Sequence, residues 1–224
     1  MLAESFDDVT ILFADIVGFT KYSAGKEPRQ VIEMLSKLFT EFDKECNRLN
    51  LYKVYTIGDC YVVLGFIDKR NRKPPSEEAS DVIQMGISMI QSINKVRKQV
   101  NFMELNMRIG IHTVGTDLPK GKLFGGIVGT DIVRFDIYGP DVLIANKMES
   151  GGMPGKICIS KKTKDLIETL ETTSYTFSEN KPIHIKSLGI AYESYFVGSK
   201  LLRDEEAKDD SLILDDRDNL TQVN

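Results

Sequence analysis

The sequence is poor in the residues that many catalytic and structural sites need. Its three cysteines, Cys46, Cys60 and Cys158, are too few and too scattered for a disulfide framework or a zinc site, which favours a reducing compartment. Its two histidines, His112 and His184, have no accompanying nucleophile-and-base pattern and read as structural. No apolar run of about 18 residues occurs, so no segment reads as membrane-spanning. No leader pattern opens the chain. A basic surplus is also missing. The formal net charge is −4 over 224 residues, and it is unevenly placed. Residues 201–224 carry eight acidic and three basic residues, leaving 26 basic against 25 acidic in the remainder. Without a basic stripe, nucleic acid is not an expected partner.

Hydrophobic residues at 42% and charged residues at 28% suit a globular domain able to bury a sizeable core. One domain is expected over residues 1–200, followed by an acidic tail, 201–224, expected to be disordered. Val9–Phe13 reads as a buried strand, with Asp15 just after it, and Val17–Ser23 as a turn entering a helix. Pro28 suits a first helical turn. Val31, Met34, Leu35, Leu38, Phe39 and Phe42 then form one apolar helical face. Leu51–Ile57 and Tyr61–Phe66 read as a hairpin around Gly58-Asp59-Cys60. After a Pro74-Pro75 loop, Ser76 is a candidate cap for a helix burying Ala79, Val82, Ile83, Gly86, Ile87 and Ile90. Further strands are expected at Asn106–Thr113, Lys122–Val128, Lys156–Ile159, Ile183–Ile185 and Tyr192–Val197. Helices are expected at Val142–Met148 and Lys161–Leu170. The irregular alternation predicts an α+β fold with a largely antiparallel sheet, and a ferredoxin-like βαββαβ core is the natural candidate.

Asp15 and Asp59 are the candidate chemistry. Alone, the first reads as a cap or turn residue and the second as a hairpin-turn residue. If the first strand lies beside the hairpin, both carboxylates converge. Paired oxygen ligands suit Mg²⁺, with waters and substrate phosphates completing the shell. The Ile16 carbonyl offers a neutral ligand. Gly18, Phe19 and Thr20, at a glycine turn opening a helix, could present backbone N–H groups to a phosphate. Arg108 offers a planar fork of donors to a second phosphate, or forms an ion pair. The glycines at 125, 126 and 129 match neither a dinucleotide nor a P-loop pattern and read as close packing in a hairpin or at a dimer interface.

Four stretches in order resemble class III adenylyl and guanylyl cyclases. Ile11-Leu12-Phe13-Ala14-Asp15-Ile16-Val17-Gly18-Phe19-Thr20 is similar to their first metal and phosphate motif. Ile57-Gly58-Asp59-Cys60-Tyr61 is similar to the second metal motif. Asn106–His112 resembles the phosphate-contacting strand. Phe135–Gly139 with Ala145–Gly152 resembles the next signature. The resemblance implies a domain working in head-to-tail pairs, with two Mg²⁺ or Mn²⁺ ions held by Asp15, Ile16 and Asp59, and a nucleoside triphosphate as substrate. It looks especially like the C-terminal catalytic domain of the large membrane guanylyl cyclases of ciliates and apicomplexans. That implies a cytoplasmic location within a larger membrane protein.

The departures from the family pattern are informative. The family's transition-state Asn falls on Leu143 and its Arg on Lys147. The base-selecting position falls on Tyr55, where Lys for adenine or Glu for guanine is usual, while Asp136 fits the acidic residue that reads adenine, an Asp that metal-bearing halves of heterodimers often keep too. Leu143 cannot hydrogen-bond a ribose, and Lys147 lacks the bidentate fork. Losing one such stabiliser costs about 2.7–4 kcal/mol, or roughly 10²–10³ in rate. The expectation is therefore a metal-donating half of a heterodimeric guanylate cyclase, weak or inactive as a homodimer and needing a complementary domain. An adenylate cyclase half and a non-enzymatic dimerisation module are the alternatives.

Overall fold

The computed structural model describes residues 3–68, 70, 72–115, 123–129, 131 and 133–199. The expected tail, 201–224, and the start of the expected strand at Lys122 lie outside them. A seven-stranded sheet forms the spine, in the order β3-β4-β2-β5-β8-β12-β9. Its strands are β2 (Thr10–Val17), β3 (Tyr52–Ile57), β4 (Cys60–Leu64), β5 (Asn106–Thr113), β8 (Ile157–Ser160), β9 (Thr176–Glu179) and β12 (Ser194–Gly198). All neighbours are antiparallel except β5 and β8. With α2 (Pro28–Arg48) after β2 and α3 (Pro75–Gln99) before β5, β2 to β5 make the expected ferredoxin-like βαββαβ unit. A second, three-stranded sheet is built from β1 (Ala3–Phe6), β6 (Leu123–Val128) and β7 (Arg134–Tyr138) in the order β1-β6-β7. The helices α1 (Phe19–Ala24), α4 (Pro140–Ser150) and α5 (Lys161–Ile167), and a small ribbon of β10 (Ile183–Ile185) and β11 (Ile190–Tyr192), complete the described fold.

Strand alternation divides the core in two. Leu12, Ala14 and Ile16 of β2 and Met107, Ile109 and Ile111 of β5 face the helical layer, where Met34, Leu38, Phe42, Val82, Ile83 and Ile87 meet them. Ile11 and Phe13 face the opposite side, against Phe6, Val62, Leu123, Ile137 and Ala145. Asp15 shares that second face by parity, as do Arg108, Gly110 and His112 on β5. That face is covered by α4, and the site is built there.

Several expectations need correction. Asp15 lies inside β2, which continues to Val17, because β5 pairs with it along its full length from Thr10↔Thr113 to Val17↔Asn106. Ser76 is inside α3 and caps nothing: Pro74 holds the cap position in an extended conformation and Pro75 opens the helix, its missing N–H being harmless there. The late strand splits into β11 and β12 around Glu193, since β11 pairs with β10 and β12 with β8 and β9. His112 is buried and doubly partnered, as a structural histidine should be, but His184 is exposed. No helix among the described residues is long and apolar enough to cross a membrane.

Candidate active site

The β3–β4 turn carries Asp59 to the side of Asp15. Gly58 has φ +60°, as the first residue of a tight hairpin turn requires, and Asp59 follows it directly before β4. Because β4 pairs with β2 in the register Ala14↔Tyr61, the turn falls beside the end of β2. The Ile16 backbone N–H, next to Asp15, lies close enough to the Asp59 carboxylate to favour its charged form. Burial pushes the Asp59 carboxyl above the usual carboxylate range, and the negative charge of Asp15 pushes it further. Burial and the neighbouring Asp15 thus penalise charge on Asp59, which a divalent cation would relieve.

Across β2, Asp15 and Arg108 are register partners, and Arg108 Nη2 lies 3.5 Å from Asp15 Oδ2. The other edge of the guanidinium is held more tightly: Arg108 Nε donates to Glu149 Oε1 at 2.6 Å. Glu149 comes from α4 and is 8% exposed, against 33% for Asp15 and 28% for Arg108. Burial raises the Glu149 carboxyl, and Arg108 draws it back down. Cys60 stands in the same acidic surroundings. Burial, then the charges of Asp15, Glu149 and Asp59, push its thiol up to about 12.

Beyond Asp15, the chain turns at Gly18 into α1. Gly18 has φ +82°, and a Cβ there would stand 2.8 Å from the Glu104 carbonyl oxygen, so a side chain is excluded on two counts. Phe19 packs against the helical core and Thr20 is exposed, with no side chain capping the helix start.

The remaining candidates lie apart from Asp15 and Asp59, in two places. Asp136 is buried, and its carboxylate is consumed within the chain. Arg134 Nη2 donates at 2.5 Å, Tyr138 Oη at 3.3 Å and the Ile137 N–H at 2.9 Å. Tyr55 lies under the Arg134 guanidinium, 5.3 Å from ring centroid to charge, and burial drives its hydroxyl up to about 12. Leu143 is half-buried and packs against the cluster of Ile144, Met148 and Ile183, while Lys147 sits one turn further along α4. The structure therefore brings Asp15, Ile16, Asp59 and Arg108 together, with Gly18, Phe19 and Thr20 at the end of the same strand. Tyr55 and Asp136 stand together elsewhere. Sequence reasoning missed Glu149 and Arg134. The signal for Glu149 was its place eight residues after Asp141 on one side of α4, facing the alternate β5 residues Arg108 and His112.

Oxygen donors of this kind fit a hard divalent ion. Two carboxylates with no third His, Cys, Asp or Glu completing a cage, among the described residues, suit Mg²⁺ or Mn²⁺, which keep waters and substrate phosphates in their shells.

An α+β domain with one acid on a strand, a second on the neighbouring hairpin and an arginine on the strand at its other side has the layout of a nucleotide-cyclising domain. The chain belongs to the adenylate and guanylate cyclase catalytic domain family, whose model matches residues 1–199. It is 38% identical over 199 residues to a guanylate cyclase of Toxoplasma gondii and 37% identical over 186 residues to guanylate cyclase alpha of Plasmodium falciparum. These matches cover 88% and 82% of the chain but 4% of either relative's length. Among solved structures, the adenylyl cyclase CyaB from P. aeruginosa shares the fold, with a TM-score of 0.76 at 24% identity, covering 89% of this chain and 97% of that one. The guanylate cyclase domain of RhGC from Catenaria anguillulae, in complex with GTP, superposes with a TM-score of 0.73 at 26% identity, covering 88% and 98%.

Proposed function

We propose that this chain is the metal-donating half of a guanylate cyclase active site, converting GTP to 3′,5′-cyclic GMP and pyrophosphate when a complementary cyclase domain completes it. The observation that carries this reading is the approach of Asp59 to the Ile16 backbone beside Asp15, where burial and then the Asp15 charge raise the Asp59 carboxyl. Asp15, Asp59 and the Ile16 carbonyl would hold two Mg²⁺ or Mn²⁺ ions. Bound there, such ions lower the pKa of an attacking hydroxyl and neutralise a triphosphate. The chain's own residues do the rest of this half. The Phe19 and Thr20 amides orient the β- and γ-phosphates at the strand end. Arg108 presents its Nη edge to the same oxygens. The 3′-oxygen forms the new bond to the α-phosphorus, its proton is lost, and the bond to pyrophosphate breaks.

The other half of the reaction is missing from this surface. Leu143 offers no hydrogen bond, Lys147 no fork, and Asp136 is already satisfied by Arg134, Tyr138 and Ile137. An exposed apolar face on β6 and β7, where Phe124 sits opposite Tyr138 and Val128 lies further along the same face, offers a surface for a partner domain. The named guanylate cyclase relatives favour GTP over ATP. A calorimetric titration of Mn²⁺ into the chain with 3′-deoxy-GTP tests the reading. Binding that disappears in Asp59→Ala supports a cyclase half, and no binding to the wild type favours a non-enzymatic dimerisation module.

A further inference from the structure

Three alternate residues of β5, Arg108, Gly110 and His112, meet α4. Arg108 meets Glu149, and His112 Nε2 lies 2.9 Å from Asp141 Oδ1. Between them, Gly110 lets the helix backbone settle on the strand: a Cβ there would stand 1.9 Å from the Glu149 backbone nitrogen. Glu149 is thus fixed in position by backbone contact rather than by a flexible side chain reaching across solvent. Its carboxylate holds the Nε edge of Arg108 at 2.6 Å, while the Nη2 corner leans toward Asp15 at 3.5 Å.

We propose that Glu149 is a positioning residue that holds Arg108 by its Nε edge, so that the guanidinium pairs only loosely with Asp15, at 3.5 Å, and yields it to metal. This rests on the metal-site reading above and adds a residue to it. A guanidinium has donors on two edges, and a carboxylate on one leaves the other free for phosphate. Without the Glu149 charge, Asp15 becomes the main carboxylate partner of Arg108, and metal must displace a tighter ion pair before it binds. The effect runs through Arg108, so it must vanish when Arg108 is absent.

The test is Mn²⁺ binding to the whole chain with 3′-deoxy-GTP, followed by electron paramagnetic resonance, for wild type, Glu149→Gln, Arg108→Ala and the double variant. Residues that orient a metal ligand change metal affinity by about 10–100-fold when replaced. Glu149→Gln is expected to weaken Mn²⁺ binding about tenfold in the wild-type background and by less than about twofold in the Arg108→Ala background. Equal loss in both backgrounds means that Glu149 acts directly through its charge and overturns the proposal, as does no loss in the wild type. Wild-type chain that binds no Mn²⁺ overturns the metal-site reading and this proposal with it. Should Glu149→Gln fail to fold, nuclear magnetic resonance of wild-type Arg108 decides. The Nε–H signal is expected to stay hydrogen-bonded when Mg²⁺ and 3′-deoxy-GTP are added, while the Nη signals shift. Loss of the Nε–H bond on loading overturns the proposal.

Discussion

Asp15 and Arg108 stand opposite each other on β2 and β5, with Arg108 Nη2 3.5 Å from Asp15 Oδ2. The proposed metal ligand and the proposed phosphate ligand are therefore paired with each other before any ligand arrives. Loading the site must exchange that pair for Asp15–metal and Arg108–phosphate contacts. Arg108→Ala should separate the two. A hydrogen bond to a charged group contributes about 1.5–3 kcal/mol, so the triphosphate KM of the completed enzyme should rise about 10–100-fold. Mn²⁺ binding without nucleotide should strengthen, because Asp15 loses its competing cation. Steady-state kinetics and a Mn²⁺ titration check the two halves of this statement.

Leu143 and Lys147 are the proposed reason that a homodimer is expected to be weak or inactive. Leu143→Asn with Lys147→Arg should raise the turnover of the isolated chain by about 10²-fold, the scale of one recovered transition-state donor. Discrimination between GTP and ATP should stay weak, because Tyr55 and the Arg134–Asp136 pair still occupy the proposed base-reading position. A cyclic nucleotide assay with each substrate measures both effects.

Gly110 is the point where α4 rests on the sheet. In Gly110→Ala the new Cβ would meet backbone atoms of Met148 and Glu149, which cannot swing aside. Overpacking of this kind costs about 3 kcal/mol. In a domain of this size that lowers Tm by about 6–12 °C. Thermal unfolding at fixed protein concentration checks it.

Far from the site, Glu78 links β2 to α3. It is 2% exposed, accepts the Thr10 N–H at 2.9 Å and pairs with Arg72 at 3.1 Å. Burial is the largest influence on its carboxyl and raises it, outweighing the Thr10 and Arg72 contacts. A carboxyl raised on folding favours the folded state below its unfolded value, and that advantage is lost as pH rises through its folded value. Glu78→Gln keeps an acceptor for Thr10 without titrating. The stability of wild type relative to Glu78→Gln should therefore fall between the ordinary carboxylate range and neutrality. Denaturant unfolding of both proteins from pH 4 to pH 7 measures the difference.

Local pattern made much of this legible. The alternation in Asn106–Thr113 marks β5 to the residue, and the apolar face of α2 follows from its 3.6-residue spacing. The hairpin turn at Gly58-Asp59 was visible because turn chemistry is local. What stayed hidden depends on contacts distant in the chain. β1 is too short to show alternation and exists by pairing with β6, about 120 residues later. Asp15 looked like the end of its strand because its charge broke the apolar run, whereas β5 extends the pairing past it. Glu149 carries no local sign of its partner, since the contact to Arg108 spans 41 residues and needs Gly110 to bring the helix close.

The central claim is that Asp15 and Asp59 supply the metals for an active site that another domain completes. Cyclic GMP formation by the purified chain, alone and mixed with a complementary cyclase domain, tests it most directly, with Asp59→Ala run in the same mixture. The account predicts negligible turnover alone, strong Mg²⁺- or Mn²⁺-dependent turnover on mixing, and loss of more than about 10²-fold with Asp59→Ala. Full activity of the chain by itself, or an Asp59→Ala mixture as active as wild type, would contradict it.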